Sequence, residues 1–228
     1  MTTPAQTIIQ SAAETLQDLS ATRWSTAELV RYLNAGQLET VMLRPDSNTV
    51  NATFNCVAGA RQTLPVAAAR LLDITRNVAS ISSRGAIRLI NRSLLDNQIP
   101  NWQVEAGTVN IKHFMMDPAD RTTFYVYPPA IATAQVNMVY AAYPTAVAIP
   151  AANTTFSAVT GNIALPDIFA NALVDYVLYK AFAKDAEQAG NGARSQAHYA
   201  AFGTALGVEL QSAVGVTPSP RGNPTRAG

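Results

Sequence analysis

The side chains with most chemistry to offer are two histidines, His113 and His198, one cysteine, Cys56, and the carboxylates Asp117 and Asp120 around Pro118-Ala119. A metal site needs several N, O or S donors converging at short, regular spacing. Neither histidine has a Cys, Asp or Glu nearby at such spacing, so both read as structural or surface residues. Asp117 and Asp120 are candidates for paired acids or calcium ligands, but with Pro118 between them they match a turn. Cys56 follows Phe54 in an apolar-alternating run and reads as a buried strand residue. A lone cysteine excludes an internal disulfide framework and fits assembly in a reducing compartment. There is no nucleophile elbow, no phosphate-cradling G-x-x-x-x-G-K, and no dinucleotide fingerprint, Ala189-Gly190-Asn191-Gly192 being too short for one. No enzyme, metal or cofactor is expected.

Two further groups invite a binding reading. Between Arg61 and Arg92 there are six arginines (61, 70, 76, 84, 88 and 92) and one acid, Asp73. Guanidinium forks bind carboxylates or phosphates at two points, so this cluster, with Arg70, Arg84, Arg88 and Arg92 as its candidates, could face an acidic partner protein or nucleic acid. A solvated sheet face is the competing reading. The aromatics of Phe124-Tyr125-Val126-Tyr127 alternate in a strand, so rings two apart share one face, as a stacking platform for bases or sugars requires; packing is the commoner use.

Helices at both ends must frame these residues. Ile8, Ile9, Ala12, Leu16 and Leu19 recur at helical spacing after Thr3-Pro4, giving an amphipathic helix of about four turns. Ser25-Thr26-Ala27-Glu28 matches the capping box, with Trp24 stapling the start of a second helix that Arg44-Pro45 stops. The stretch 165–188 is predicted as one long helix opened by Pro166 and Asp167. Its apolar residues, Ile168 to Phe182, cover most of the circumference, so it needs neighbours on more than one side. Gly190-Asn191-Gly192 supplies a left-handed cap, and 193–214 doubles back as a fourth helix. Gly203 and Gly207, four apart, are either sites of close helix approach or weak points.

Between the helical regions the period changes to two. Strands are predicted over 49–57, 71–75, 86–90, 109–114, 122–127 and 135–140, with Asp117–Asp120 turning a hairpin and Pro128-Pro129 ending one strand. The fold class is α+β: a four-helix bundle, two N-terminal and two C-terminal helices, with an inserted antiparallel β-sandwich or small barrel. The divisions are 1–46 for the first half of the bundle, 47–145 for the β insertion, 146–164 for a connecting loop, 165–214 for the second half and 215–228 for a flexible tail. That tail is rich in proline and glycine and has no acid, so it should order only against a partner.

Composition supports extensive burial: 48% of the 228 residues are hydrophobic and only 14% charged, with a net charge of +1. No run reaches the roughly 18 apolar residues of a membrane span, and the N-terminus lacks a signal peptide's positive charge.

The order of three segments resembles the head-to-tail adaptor (connector) proteins of tailed bacteriophages, especially the ring-forming adaptor of short-tailed phages. They are Arg23-Trp24-Ser25-Thr26-Ala27-Glu28-Leu29-Val30-Arg31-Tyr32-Leu33-Asn34; Phe124–Pro129 followed by Tyr140-Ala141-Ala142-Tyr143-Pro144; and the Asp175–Glu187 helix followed by Ala197–Phe202. The resemblance covers most of the chain. It implies a structural virion protein: a twelve-copy ring beneath the portal that extends the DNA channel and gives the tail nozzle or tail tube its platform. It also implies location at the virion neck after assembly in the host cytoplasm, with transient, non-specific contact to DNA in the channel and no membrane. Head-to-tail ring contacts would use the apolar surface of the chain, including the excess apolar face of the 165–188 helix. In the tail, Val216, Pro218, Pro220, Arg221, Pro224 and Arg226 are the expected portal contacts. The alternative is a β-sandwich receptor- or carbohydrate-binding module of a phage tail, which leaves the long helices without a role. A tail-associated hydrolase would need a catalytic pair that the sequence does not offer.

Overall fold

The computed structural model describes residues 3–78, 85–117, 120–151, 154–185, 187–188 and 190–216, the side chains of 208–216 excepted. The chain divides into two compact units, one of Met1–Arg44 with Thr145–Gly228 and one of Pro45–Pro144.

In the first unit, α1 (Ala5–Leu16) buries Ile8, Ile9, Ala12 and Ala13 on one side. It is a turn shorter than the apolar spacing suggests. Gln17 adopts a left-handed conformation (φ 56°), and Asp18 accepts hydrogen bonds from the backbone N–H groups of Thr22, Arg23 and Trp24. Leu19 consequently falls in a loop, 63% exposed. The next helix, α2 (Thr26–Leu43), starts at Ser25, whose hydroxyl accepts from Glu28 N–H at 3.3 Å. Only that half of the capping box forms, because the Glu28 carboxylate accepts from Lys184 (2.8 Å) and the Tyr32 hydroxyl (2.7 Å) instead. Trp24 is buried and donates its indole N–H to the Ala181 carbonyl at 3.1 Å.

The long helix predicted over 165–188 is shorter. Asp167–Phe169 form a 3-10 turn, and the α-helix proper occupies Ala170–Lys184. Three bends of chain contribute its neighbours: it touches α1, α2 and the final helix, Asn191–Val216. It buries Leu173, Tyr176, Val177, Leu178 and Phe182, and it exposes no large apolar side chain. The expected spare face for a neighbouring subunit is therefore absent from this helix; Ile168, the exposed apolar residue nearby, lies in the 3-10 turn. Gly190 takes the left-handed conformation (φ 91°) at the turn into the last helix. A Cβ at Gly203 or Gly207 would meet nothing within 4 Å, so neither marks a close helix approach. Gly36 in α2 does: a Cβ there would lie 2.8 Å from the Tyr176 ring.

The second unit holds two sheets and a short helix. In chain order its elements are β1 (Thr49–Asn55), β2 (Gly59–Thr63), β3 (Ala68–Asn77), β4 (Arg88–Leu89), α3 (Arg92–Gln98), β5 (His113–Met116), β6 (Thr123–Ala130) and β7 (Gln135–Ala142). The helices of the first unit's second half are thus α4 (Ala170–Lys184) and α5 (Asn191–Val216). One sheet has the order β1-β7-β3 and is antiparallel throughout; the other has the order β2-β6-β5-β4. An all-antiparallel insertion was expected, but β4 pairs with β5 in parallel, Arg88 opposite His113. The chain reaches β5 after α3, a crossover that brings a strand back in the same direction.

Residues of both sheets, among them Leu71, Ile74, Phe114, Phe124, Val126, Val136 and Met138, share one hydrophobic cluster. A smaller cluster on the other face of the second sheet gathers Ala60, Leu95, Met115 and the fully buried Trp102. Strand β6 continues through Pro128-Pro129, which do not end it; the register against β2 shifts there, and the chain's ladder role falls to carbonyls, Pro129 accepting from Thr108 N–H.

Candidate functional site

Strand β3 sets out the basic residues by an unusual repeat. Its pairing with β7 slips at Ala68/Arg70, Leu71/Asp73 and Ile74/Arg76, so each slip adds one unpaired residue. Burial then recurs every third residue: Ala68, Leu71, Ile74 and Asn77 face inward, while Arg70, Asp73 and Arg76 form an exposed row. An acid thus sits between two arginines. Asn77 ends the row as a buried clamp, its amide donating to the Ile111 (2.7 Å) and Gly85 (3.1 Å) carbonyls while its oxygen accepts from Ile111 N–H (2.9 Å).

Of the four candidate arginines, Arg70 and Arg88 are exposed, on β3 and β4. Arg84 lies outside the described residues. Arg92 opens α3 half-buried and is held within its own unit, 3.5 Å from Asp96, 3.8 Å from Asp117 and 4.8 Å above the Tyr125 ring. A cavity of about 280 Å³ collects Arg70, Leu71, Met116, Asp117, Asp120 and Arg121. Asp120 also stands 3.9 Å from Arg61. The basic window of the sequence is therefore interleaved in space with Asp96, Asp117 and Asp120. Such a mixed surface suits recognition of another protein's alternating charges better than a polyanion.

Asp117 and Asp120 lie on the β5–β6 connection, and the Pro118-Ala119 of the expected turn lie outside the described residues. Asp120 accepts from the Thr122 and Thr123 hydroxyls, both at 2.6 Å, and from Thr122 N–H at 2.9 Å. Those hydroxyls, Thr122 first, lower its carboxyl to a pKa of about 2. Its carboxylate is thus held in the charged form by its own connection.

The aromatics of β6 divide by face. Phe124 and Val126 enter the main cluster. Tyr125 and Tyr127 pack edge-on against Trp102 at 6.0 and 6.3 Å, and His113 stacks on Tyr127 at 6.4 Å. With Arg92 over Tyr125 as well, their rings are occupied, and no stacking platform is left for bases or sugars. Burial first, and then Arg88 and Lys112, lower the pKa of His113, which favours its neutral form. Cys56 is buried just beyond β1, and burial raises its thiol to about 11.

One pairing escaped the sequence reading: His198 of α5 contacts Asp175 of α4 through Nδ1 at 2.9 Å and stacks on Phe182. The partners are 23 residues apart, so only the packing of the two helices unites them. Ser195, one turn before His198, donates its hydroxyl to the Tyr179 carbonyl at 3.1 Å. Among the described residues no group of three or more His, Cys, Asp or Glu side chains is placed to hold a metal. No described helix is long and apolar enough to cross a membrane.

In the tail, Val216 is the last residue of α5, and Pro218, Pro220, Arg221, Pro224 and Arg226 lie outside the described residues.

Comparison with known proteins supplies the remaining finding. A family model described as SU10 adaptor protein matches residues 3–225, nearly the whole chain. No curated protein matches the chain.

Proposed function

The chain belongs to the SU10 adaptor protein family, bacteriophage head-tail adaptors with a structural role and not a class of enzymes, and from this premise we propose how it works in the virion neck. Twelve copies close into a ring beneath the portal, extend the DNA channel and present a platform for the tail nozzle or tail tube. In this reading the helices of the first unit form a four-helix bundle, and the second unit is a β-sandwich inserted into it. The single observation that carries the proposal is the family match over residues 3–225.

Supporting features are physical. A cyclic ring uses heterologous contacts, which need apolar surface on two different faces of the subunit. Leu38 and Met42 provide such surface, one turn apart on α2, with Met42 73% exposed. The tail beyond α5, with Arg221 and Arg226, docks on the portal and orders there. Arg70 and Arg88 meet either channel DNA or acidic patches of the next subunit; Arg92 supports the second unit from within.

The test is a mass measurement and negative-stain imaging of purified protein, alone and mixed with purified portal. A closed ring seated on the portal is expected, and a persistent lone monomer overturns the reading. Deleting 215–228 should weaken portal capture in a pull-down. Unchanged capture would remove the tail from the interface.

A further inference from the structure

Four strands end the two sheets, and three of them are protected against pairing with another chain. Strand β3 has its register slips, its charged row of Arg70, Asp73 and Arg76, and a cover over its end, where Ile87 N–H bonds Thr75 and Asn77 N–H bonds Gly85. Strand β4 is two residues long and contains Arg88. Strand β2 is short, irregular against β6, and contains Arg61. Bulges, charges, brevity and covering segments are the devices by which edges are kept from sticking.

Strand β1 has none of them. It runs seven residues, Thr49-Val50-Asn51-Ala52-Thr53-Phe54-Asn55, with no charge, proline or glycine, and it pairs with β7 without a single slip. Among the described residues no strand pairs with its other side. The direction of its free groups follows from the ladder. Cys56 N–H bonds the Ala134 carbonyl at 2.9 Å, and antiparallel bonds alternate, so Val50, Ala52 and Phe54 bond β7. Thr49, Asn51, Thr53 and Asn55 then turn their backbone N–H and C=O groups outward. Their side chains are exposed, whereas Val50, Ala52 and Phe54 are half-buried on the core side.

That pattern reads the same from either end about Ala52: polar, apolar, polar, alanine, polar, apolar, polar. We propose that β1 is a self-complementary edge through which two copies of this chain pair antiparallel about a two-fold axis at Ala52. Thr49 then faces Asn55 of the other copy, Val50 faces Phe54, Asn51 faces Thr53, and Ala52 faces itself. The outward-turned residues meet one another, which is the parity the hydrogen bonds require, for on the order of eight backbone bonds. The three-stranded sheet becomes a continuous sheet of twice the width, and Phe54 gains an apolar neighbour. A second copy is the occupant indicated because its own β1 supplies, in one register, an uncharged strand with apolar residues against Val50 and Phe54 and polar residues against the exposed positions. Such an isologous contact closes at two copies and adds no third, so it belongs to the protein outside a cyclic ring.

The experiment uses the full chain without portal. Sedimentation at micromolar concentration should report a dimer. In a Cys56→Ala background, Ala52→Cys should form a covalent dimer on mild oxidation, because directly opposed, non-hydrogen-bonded residues lie within disulfide reach. Val66→Cys, 98% exposed before β3, is the control for random collision and should not cross-link. Asn51→Lys with Thr53→Lys sets like charges opposite one another and should weaken association at least about tenfold, whereas Asn51→Lys with Thr53→Asp sets opposite charges there and should retain it. Both substituted positions, Asn51 and Thr53, are exposed, so the fold is spared. A monomer, a failure of Ala52→Cys to cross-link above the control, or equal behaviour of the two charge pairs overturns the proposal. A ring that assembles with none of these responses overturns it too and leaves the adaptor reading intact.

Discussion

Asp18 illustrates how one side chain sets a backbone path. Gln17 and Ala21 both lie in the left-handed region, at φ 56° and 52°, without being glycine, and such conformations persist only where surroundings hold them. The Asp18 carboxylate supplies that hold by collecting three consecutive backbone N–H groups. Partial burial pushes its pKa up, but the bonds from Trp24, Thr22 and Arg23 outweigh it, and the net shift is downward. A lowered carboxylate pKa contributes stability that is fully present above the ordinary value and is lost as pH falls through the lowered one. Asp18→Asn should therefore cost about 1 kcal/mol at neutral pH, comparable to a lost helix cap. Urea titrations at successive pH values should show the gap between variant and parent closing as pH falls below 3.8, the ordinary value. Thr122→Val should raise the carboxyl titration midpoint of Asp120, read by NMR, from about 2 toward the usual carboxylate range. These roles were only partly legible beforehand. That Asp117 and Asp120 lie between two strands follows from the residues themselves, whereas the Asp18 knot depends on a loop whose φ values no local pattern announces.

At the scale of elements, glycines separate close approach from open space. Gly36→Val puts a branched side chain against Tyr176, whose hydroxyl is tied to Glu39 (2.8 Å) and whose ring packs on Phe202, so the ring has little room to yield. A loss of about 2 kcal/mol by thermal or urea unfolding is expected, as for an overpacked core. Gly203→Ala, in open space on α5, should stabilise by about 0.5–1 kcal/mol through helix propensity alone. Helices were more legible than strands for a physical reason. The apolar face of α2 and its Ser25 cap are local signals, and they survive packing. In β3 the three slips replace a two-residue period by three, so a search for alternation finds only the middle of the strand. Helix α3 went unseen although Asn91 caps it, its oxygen accepting from Ser93 N–H, because seven residues are too few for periodicity to register. The basic window misled in a related way: Asp117 and Asp120 reach Arg92 and Arg61 only through the fold, and Asp96, one turn along α3 from Arg92, lies four residues past the window's end.

At the scale of the whole molecule, two compact units with separate cores predict two separable responses to damage. Leu173→Ala in α4 and Ile74→Ala in β3 each empty a fully buried site and should cost about 2–5 kcal/mol. Calorimetry should show each variant lowering a different transition; one shared transition moved equally by both would argue that the units unfold together. The division also bears on what changes the fold tolerates. Strands β1 and β7 pair from Thr49 opposite Ala141, and the Asn48 amide donates to the Ala142 carbonyl at 3.0 Å, so the second unit begins and ends at neighbouring points. A segment whose two ends meet is a cassette. It can be enlarged or trimmed without pulling apart the chain ends that flank it, because they are separated by only about the width of a strand pair. The boundaries at Arg44–Pro45 and Pro144–Thr145 are thus the places where one unit can change its length while the sequence of the other stays as it is.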